Sequence, residues 1–499
     1  MLGFVKFVRG YYLVMCTRKR RVGALGYHQM FEVEKAELAP LFKEELRLLD
    51  QEEAKWVERW HSILRQGHFY FSYTYELSRT VQQNHSELEE GSTLSKASLS
   101  YTSTGRENDP LEPDPHFFRF IWNRHMLSPL AATTTILRRL FLTVIHGYIE
   151  CSTVCSYSLQ LEVCLISRRS TLYAGTRFRK RGLNERGHCA NEVETEQVVT
   201  QQHPHADVLS FVQIRGSVPL FWSQESAAMN FKPPIVYPRR SDPTFSATRA
   251  HIADLFERYG SPLFVVNLMR GLSGTDEAFL GQNMETAIPF SKIKTPRPEI
   301  VYQHLDMKAA GKNDDGSSSS VTNRFHALLC DRAANLVDCV GFFHAQKIKV
   351  CLRAQSGIVR VNCVDCLDRT NVLLFFLGRE VFERQLCALG VIQHFPGGRV
   401  LTAAAGTPST ASTMRLPRVI ELDSHLAALL NDMYEISGDA LSMQYAGSVA
   451  HKKYQIVRTL RNSKEIFTSI QRAYNTNFQD QEKQLALNVF LGVFDVWRH

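Results

Sequence analysis

RVNCVDCLDRTN, residues Arg360–Asn371, lies between two apolar segments of different kinds. The preceding segment, GIVRVN, alternates as a strand does, and the following segment, TNVLLFFLGREVF, is an apolar run long enough for a buried helix. The sequence therefore predicts a strand, a loop and a helix in that order. The loop carries two cysteines, two aspartates and an arginine.

The two cysteines of this loop, Cys363 and Cys366, admit several interpretations. The candidates are a redox pair, half of a zinc site, a thiolate nucleophile with a second cysteine beside it, or buried thiols at the end of a strand. A redox site does not require the Asp-Arg-Thr that follows, and a zinc site needs a second ligand pair, whereas the sequence has no second Cys-x-x-Cys. Buried thiols would leave Asp365, Asp368 and Arg369 unexplained.

The spacing from Cys363 to Arg369 favours a nucleophile that attacks a phosphoryl group. Backbone N–H groups at a helix N-terminus form an anion site, and an arginine grips two phosphate oxygens at once. The same positive field lowers the pKa of a cysteine and favours the thiolate. Either Asp365 or Asp368 could protonate the leaving oxygen. This chemistry requires no metal and no cofactor.

Length and charge set the broad class. A chain of 499 residues with 44% hydrophobic and 22% charged residues predicts a folded protein of two or three domains. The net charge of +8 indicates an anionic partner: nucleic acid, an acidic membrane surface or a phosphorylated ligand.

The cysteines and the apolar segments predict a cytosolic setting. The 11 cysteines show no disulfide-like spacing, and Lys6 and Arg9 interrupt the apolar N-terminus, so that no signal peptide is evident. We therefore expect reduced thiols. The longest apolar candidate for a membrane span, residues 140–166, contains His146, Glu150 and Glu162 and is not expected to cross a bilayer.

The predicted fold is α/β. A β-rich N-terminal subdomain precedes an α/β catalytic subdomain whose sheet is largely parallel, with the loop at the carboxyl end of a strand. Two low-complexity segments, residues 311–323 and 401–413, are predicted to be flexible surface loops. The predicted divisions are an N-terminal subdomain (1–160), a catalytic subdomain (161–395), a flexible insertion (396–415) and a helical C-terminal segment (416–499).

NCVDCLDRTN resembles the signature of the Sac-domain phosphoinositide phosphatases. Further blocks resemble that family in the same order along the chain, among them FYFSYTYELSRTVQ, SRRSTLYAGTRFRKRG, NEVETEQ, VQIRGSVPLFWSQ, YGSPLFVVNLM and GDALSMQYAGS. The resemblance implies that Cys363 is the nucleophile and Arg369 the phosphate-binding arginine. By analogy with myotubularin-type loops it favours Asp368 as the proton donor, with Asp365 as the alternative.

The resemblance also implies roles for residues around the loop. Asn362, Thr370 and Asn371 are expected to buttress it. A matching basic block is expected to face the lipid phosphates or, equally, to form a solvated surface; its residues are Arg177, Lys180 and Arg181.

Three segments look most like one branch of this family: GFVKFVRGYYLVMCTRKRRVGALGYHQMF, AGTRFRKRG and NVFLGVF. That branch removes the 5-phosphate of phosphatidylinositol 3,5-bisphosphate. It implies a peripheral location on endosomal or vacuolar membranes and a complex with a HEAT-repeat scaffold and a phosphatidylinositol 3-phosphate 5-kinase, and no nucleic-acid partner. The alternatives are a scaffold subunit with weak activity, or the same chemistry on phosphatidylinositol 4-phosphate or 4,5-bisphosphate.

Overall fold

The structure is a computed structural model of the 499-residue chain. The residues that it describes are 1–42, 51–89, 118–130, 140–156, 159–201, 206–224, 233–237, 242–271, 274–291, 299–307, 318–346, 350–362, 364, 368–392, 420, 424–449, 480–494 and 496. The predicted insertion at 396–415 lies outside them.

Eight strands follow one another as antiparallel neighbours, in the order in which they occur along the chain. Where two successive strands are joined by a short connection, the chain turns back and pairs antiparallel. These strands are β1 (Gly3–Lys6), β2 (Tyr11–Leu25), β3 (His28–Pro40), β4 (Phe69–Ser72), β5 (Ile145–Ser156), β6 (Leu159–Arg169), β7 (Val193–Gln201) and β8 (Val208–Gly216).

The same sheet continues beyond β8 with parallel strands, in the order β8-β13-β9-β10. Helices connect β8 to β9 and β9 to β10, as parallel neighbours require. A hairpin of β11 and β12 pairs with the first half of β8. These strands are β9 (Leu263–Asn267), β10 (Ile300–His304), β11 (Phe343–Gln346), β12 (Val350–Arg353) and β13 (Ile358–Asn362).

Nine α-helices are found among the described residues: α1 (Gln51–Arg65), α2 (Val81–Glu89), α3 (Arg124–Leu127), α4 (Ser246–Tyr259), α5 (Asp276–Phe290), α6 (Ser318–Val340), α7 (Asp368–Ala388), α8 (His425–Ala446) and α9 (Asp480–Phe490). The prediction of an α/β fold with a β-rich N-terminal part and C-terminal helices is confirmed. The parallel part of the sheet is smaller than predicted, because β6, β7 and β8 pair with one another antiparallel.

One face of the central sheet packs against α6, α7 and α8. Its contacts are mainly apolar: Val359 and Val361 of β13 lie in the same buried cluster as Leu373 and Phe376 of α7. Burial of large aliphatic and aromatic side chains on this scale is the main contribution to folding free energy. We call this the apolar face.

The opposite face of the sheet packs against α4 and α5 through a second apolar cluster, and it also carries buried charges. Arg168 of β6 donates to Glu194 at 2.9 Å and to Glu196 at 2.7 Å, and none of these three side chains is more than 2% exposed. Next to them lies a second set of contacts, which joins Arg119, Glu192, Asp254 and Arg258. We call this the charged face.

Strand β13 connects the charged face to the loop. The Arg360 side chain is fully buried on that face, and its Nε donates to Nε2 of His251 at 2.9 Å. Its Nη2 donates to the Ser217 carbonyl oxygen at 3.0 Å. Because Arg360 is three residues before Cys363 in the chain, these contacts fix the end of the strand from which the loop departs.

A separate apolar cluster lies under the N-terminal strands. Trp60 of α1 stacks on Phe490 of α9 with 5.4 Å between ring centroids, and Trp122 lies in the same cluster. Arg59 and Glu482 join the same two helices at the surface, with Nε and Oε2 3.0 Å apart. The last described helix therefore completes the core of the first part of the chain.

Two predictions from the sequence are wrong: that all the thiols are reduced, and that residues 318–323 belong to a flexible loop. Cys151 and Cys164, directly opposite each other on β5 and β6, form a disulfide, so that not every thiol is reduced. Spacing along the chain could not predict this pair, since it depends on the strand register. Residues 318–323 form the first turns of α6 rather than a flexible loop. Residues 311–317 lie outside the described range.

The predicted division after residue 160 falls at the start of β6, which pairs with β5 along ten residues. The division into subdomains stays a prediction. Among the described residues, no helix combines the length and the apolar character that crossing a bilayer requires.

Candidate active site

The loop between β13 and α7 is described at its two ends. Asn362 is the last residue of β13, and α7 begins at Asp368. Cys363, Asp365 and Cys366 lie outside the described residues, as does the side chain of Asp368. The strand and the helix predicted for this stretch are confirmed, and the loop between them and the chemical roles of its residues stay predictions.

Two parallel neighbours fix the strand end of the loop. Asn362 is level with Gly216 of β8 and Asn267 of β9, so the carboxyl ends of three parallel strands meet here. The Leu268 amide donates to the Asn362 carbonyl oxygen at 2.9 Å. The Asn362 side chain is fully buried, and no described residue bonds its amide group. Buried amides are normally satisfied, so this one suits a loop or ligand group at the strand end.

The helix end of the loop offers backbone donors. Arg369, Thr370 and Asn371 lie in the first turn of α7, where N–H groups have no partner within the helix. Thr370 is fully buried, and its hydroxyl has no partner among the described residues. The Asn371 amide donates to the Tyr434 carbonyl oxygen at 2.7 Å and so fixes α7 against α8.

Arg369 is held by acceptors from the neighbouring strand end. Its Nη1 donates to the Leu268 carbonyl oxygen and to Glu277 Oε2, each at 3.0 Å, and its Nη2 lies 3.4 Å from Glu277 Oε1. Burial raises the pKa of Glu277, but the hydrogen bond and charge of Arg369 outweigh it, and the pKa lies below its ordinary value. The guanidinium is thus anchored beside the loop.

Sequence reasoning missed Glu277. It lies in the first turn of α5, after the Thr275 cap, and α5 is the helix that follows β9 in the chain. A capping residue and acidic first turn after a buried parallel strand are a recognisable signal, because the carboxyl ends of such strands meet at one edge of the sheet.

The basic block reaches the loop through one of its members. Arg181 is buried, and its Nη1 donates to the Val364 carbonyl oxygen at 2.6 Å and to the Tyr445 hydroxyl at 3.2 Å. Arg181 therefore contacts the residue that follows Cys363. Arg177 and Lys180 are half-buried, with their cationic groups over the rings of Phe178 and Tyr173.

The first residues of α9 support the basic block, and the sequence did not indicate that they belong to the site. Gln484 accepts from the Thr176 amide at 3.0 Å. Burial raises the pKa of Asp480 to about 6, although the nearby charges of Lys483, Arg179, Arg177 and Arg181 oppose the increase. The block thus lies between the loop and a buried carboxyl group.

The charged face lies beneath this site and includes one strongly perturbed histidine. His251 contacts the Gly187 carbonyl oxygen through Nδ1 at 3.0 Å and accepts from Arg360 through Nε2. Burial and the charge of Arg360 lower the pKa of His251 to about 3, against the opposite effects of Glu192 and Asp254. His251 is therefore neutral at physiological pH.

Among the described residues, one group of side chains has metal-ligand spacing: Cys151, Glu162 and Cys164, two of which form the disulfide. The zinc and redox alternatives for Cys363 and Cys366 fall outside the described range.

Comparison with known proteins identifies the family. The SacI homology domain matches residues 1–312. Over 99% of its length the chain is 31% identical to the phosphoinositide phosphatase SAC4 of Arabidopsis thaliana and 31% identical to a polyphosphoinositide phosphatase of Schizosaccharomyces pombe. It is 28% identical to the phosphatidylinositol-3-phosphatase SAC1-A of Danio rerio, again over 99% of the chain.

The chain spans 61%, 55% and 76% of the lengths of these three relatives. The domain match covers more than half of the chain and includes the basic block, Glu277 and the strands β1–β10. The chain therefore belongs to the Sac-domain phosphoinositide phosphatase family.

Proposed function

We propose that the chain is a metal-independent phosphoinositide phosphatase that removes the 5-phosphate of phosphatidylinositol 3,5-bisphosphate through a cysteinyl-phosphate. The observation that carries this proposal is the position of Arg369. It lies in the first turn of α7, one short loop after a buried parallel strand, and it is anchored at Leu268 and Glu277. A guanidinium and a helix N-terminus on the same loop provide the charge that a phosphoryl group needs.

In the first step, the Cys363 thiolate attacks phosphorus. The S–P bond forms as the bond between phosphorus and the inositol oxygen breaks. Asp368, or Asp365 in the alternative, gives its proton to the departing oxygen. Loop amides and Arg369 stabilise the charge on the three remaining phosphoryl oxygens.

In the second step, water replaces the sulfur. The carboxylate that gave its proton takes one from water, a new O–P bond forms, and the S–P bond breaks to regenerate the thiolate. Orthophosphate is the product. The buried contacts of Arg181 to Val364 and of Arg360 to His251 support this cycle, since they hold the loop backbone in place while its charges change.

The substrate class follows from the names of the relatives, which are phosphoinositide and polyphosphoinositide phosphatases. The 3,5-bisphosphate is proposed on the resemblance of the N-terminal segment and the basic block to one branch of the family. Phosphatidylinositol 4-phosphate and the 4,5-bisphosphate are the alternative substrates.

The test measures orthophosphate release from a panel of short-chain phosphoinositides, with analysis of the position dephosphorylated. We expect release from the 3,5-bisphosphate with the 3-phosphate as the lipid product, and a loss of at least about 10⁴-fold in Cys363→Ser because the nucleophile is removed. Cys366→Ser makes the same chemical change three positions away and should keep activity within about tenfold.

Equal activity of Cys363→Ser and the wild-type chain would contradict the nucleophile assignment. Release from another lipid alone would replace the proposed substrate. A larger loss in Asp365→Asn than in Asp368→Asn would reverse the assignment of the proton donor.

The family branch further suggests a complex with a HEAT-repeat scaffold and a phosphatidylinositol 3-phosphate 5-kinase on endosomal or vacuolar membranes. The exposed basic residues of β2, such as Arg18 and Arg20, support peripheral binding to an anionic surface, although Glu34 and Glu32 partly neutralise them. Affinity purification from cells tests the complex, and recovery of the chain only as a free monomer would contradict it.

A further inference from the structure

The contact between Glu277 and Arg369 joins two elements that are far apart in sequence. Both carboxylate oxygens of Glu277 face the guanidinium, at 3.0 Å from Nη1 and 3.4 Å from Nη2. The Leu268 carbonyl oxygen accepts from the same Nη1 at 3.0 Å. The guanidinium is therefore held along its Nη1–Nη2 edge.

The carboxylate of Glu277 is itself fixed. Its Oε2 accepts from the Arg270 amide at 3.1 Å, and its side chain is only 12% exposed. Thr275 caps the helix by accepting from the Ala278 amide at 3.3 Å, and the helix N-terminus favours a negative charge in its first turn. A carboxylate held in this way defines the orientation of the group that it binds.

We propose that Glu277 is a positioning residue for phosphoryl transfer, which holds Arg369 by one edge and turns its Nε–Nη2 edge toward the phosphate. The inference rests on the proposed function. A guanidinium has two edges that can each bind two oxygens, so a carboxylate on one edge determines which edge meets the phosphate. The charge of Glu277 also opposes an anion bound to the same guanidinium.

Glu277 favours turnover because it orients Arg369, and it disfavours anion binding because of its charge. A residue with a role in folding alone would not have these two opposite effects. Glu277→Gln keeps the size of the side chain and an oxygen for Nη1, but it removes the charge and places an NH₂ group opposite Nη2. Orthophosphate should then bind about threefold to tenfold more tightly, because a repulsive charge is gone. The kcat should fall by about tenfold or more, because the guanidinium is no longer oriented.

The experiment compares the wild-type chain with Glu277→Gln and Glu285→Gln. Glu285 lies on the same helix, is exposed, and undergoes the same chemical change, so it serves as the matched control. Orthophosphate affinity is measured by calorimetry, kcat with the short-chain 3,5-bisphosphate, and folding by the thermal midpoint. We expect tighter orthophosphate binding together with slower turnover only in Glu277→Gln.

Orthophosphate affinity in Glu277→Gln equal to or weaker than wild type would overturn the inference, as would a kcat equal to that of Glu285→Gln. If Glu277→Gln does not fold, Glu277→Asp is decisive, because it keeps the charge on a shorter side chain. It should lower kcat by about tenfold without tightening orthophosphate binding, and a wild-type kcat would overturn the inference. If the wild-type chain releases no phosphate from any phosphoinositide, the proposed function fails, and the orthophosphate titration alone decides the role of Glu277.

Discussion

Both faces of the central sheet are covered by apolar clusters, and the charged face adds buried ion pairs between its own strands. On the apolar face, Val359 and Val361 meet aliphatic and aromatic side chains of α6, α7 and α8. On the charged face, Arg360 of the same strand meets His251, and Arg168 meets Glu194 and Glu196. One strand thus takes part in two kinds of packing, with the loop at its end.

Apolar packing and buried ion pairs differ in how strictly they require one arrangement of the side chains. Apolar side chains of similar volume can replace one another with small losses, since packing has no preferred direction. A buried ion pair needs its partners at defined distances and angles, and removal of one partner leaves a desolvated charge. We infer that the apolar clusters on both faces provide most of the stability and that the ion pairs of the charged face fix the register of the strands beneath the loop.

The largest effect is expected for Arg168→Met, a change that roughly conserves length on the charged face. It leaves Glu194 and Glu196 buried without their cation, and the free energy of unfolding should fall by about 3–5 kcal/mol. Denaturant unfolding measures it. Arg18→Met removes an ion pair in which the arginine is 71% exposed, and should cost no more than about 1 kcal/mol. Equal losses of unfolding free energy in the two variants would show that a buried ion pair and an exposed ion pair contribute equally to stability.

A smaller effect is expected from pH, through His251. Its pKa is about 3 in the folded chain and near 6.5 when unfolded, so the unfolded state binds one more proton between these values. Stability should therefore fall as the pH drops below 6.5, by about 1.4 kcal/mol per pH unit for this group, and the contribution is fully present above 6.5.

Denaturant unfolding between pH 4 and pH 6.5 tests this, and His251→Gln should reduce the slope by about one proton. The groups around His251 that also respond to pH are Glu192 and Asp254, and both remain in the variant. His425→Gln makes the same chemical change at an exposed histidine and serves as the matched control. An unchanged slope in His251→Gln would show that this histidine is not kept neutral.

A small effect is also expected for Leu373→Met on the apolar face. Leu373 is fully buried on α7, and a replacement of similar volume should cost less than about 1.5 kcal/mol. Leu373→Ala, which leaves a cavity at the same site, should cost about 2–5 kcal/mol. If Leu373→Met lowers the free energy of unfolding as much as Arg168→Met does, apolar packing tolerates a change of side-chain shape no better than a buried ion pair tolerates the loss of a partner.

The sequence predicts the elements around the loop well, because each is encoded locally. The alternation of GIVRVN and the apolar run after Arg369 give β13 and α7. The loop also has a recognisable spacing from cysteine to arginine. Family resemblance added the basic block, of which Arg181 contacts the loop backbone at Val364.

The contacts between distant segments could not be predicted. Glu277 lies 92 positions from Arg369, and the local patterns indicate only that each residue follows a buried strand, not that the two form a pair. The alternating glutamates of β7 resemble a strand with one solvent-facing side, yet Glu194 and Glu196 are buried. Their burial depends on Arg168, which is brought opposite them by the register of β6 and β7.

The packing of α9 on α1 has a consequence for synthesis of the chain. Arg59 and Glu482 are 423 positions apart, and Trp60 is covered by Phe490. The ribosome delivers the N-terminal strands long before the helix that closes their core. Until residue 490 has emerged, the ring of Trp60 lacks its stacking partner. The N-terminal part of the chain is therefore synthesised first, but its core is completed only near the end of synthesis.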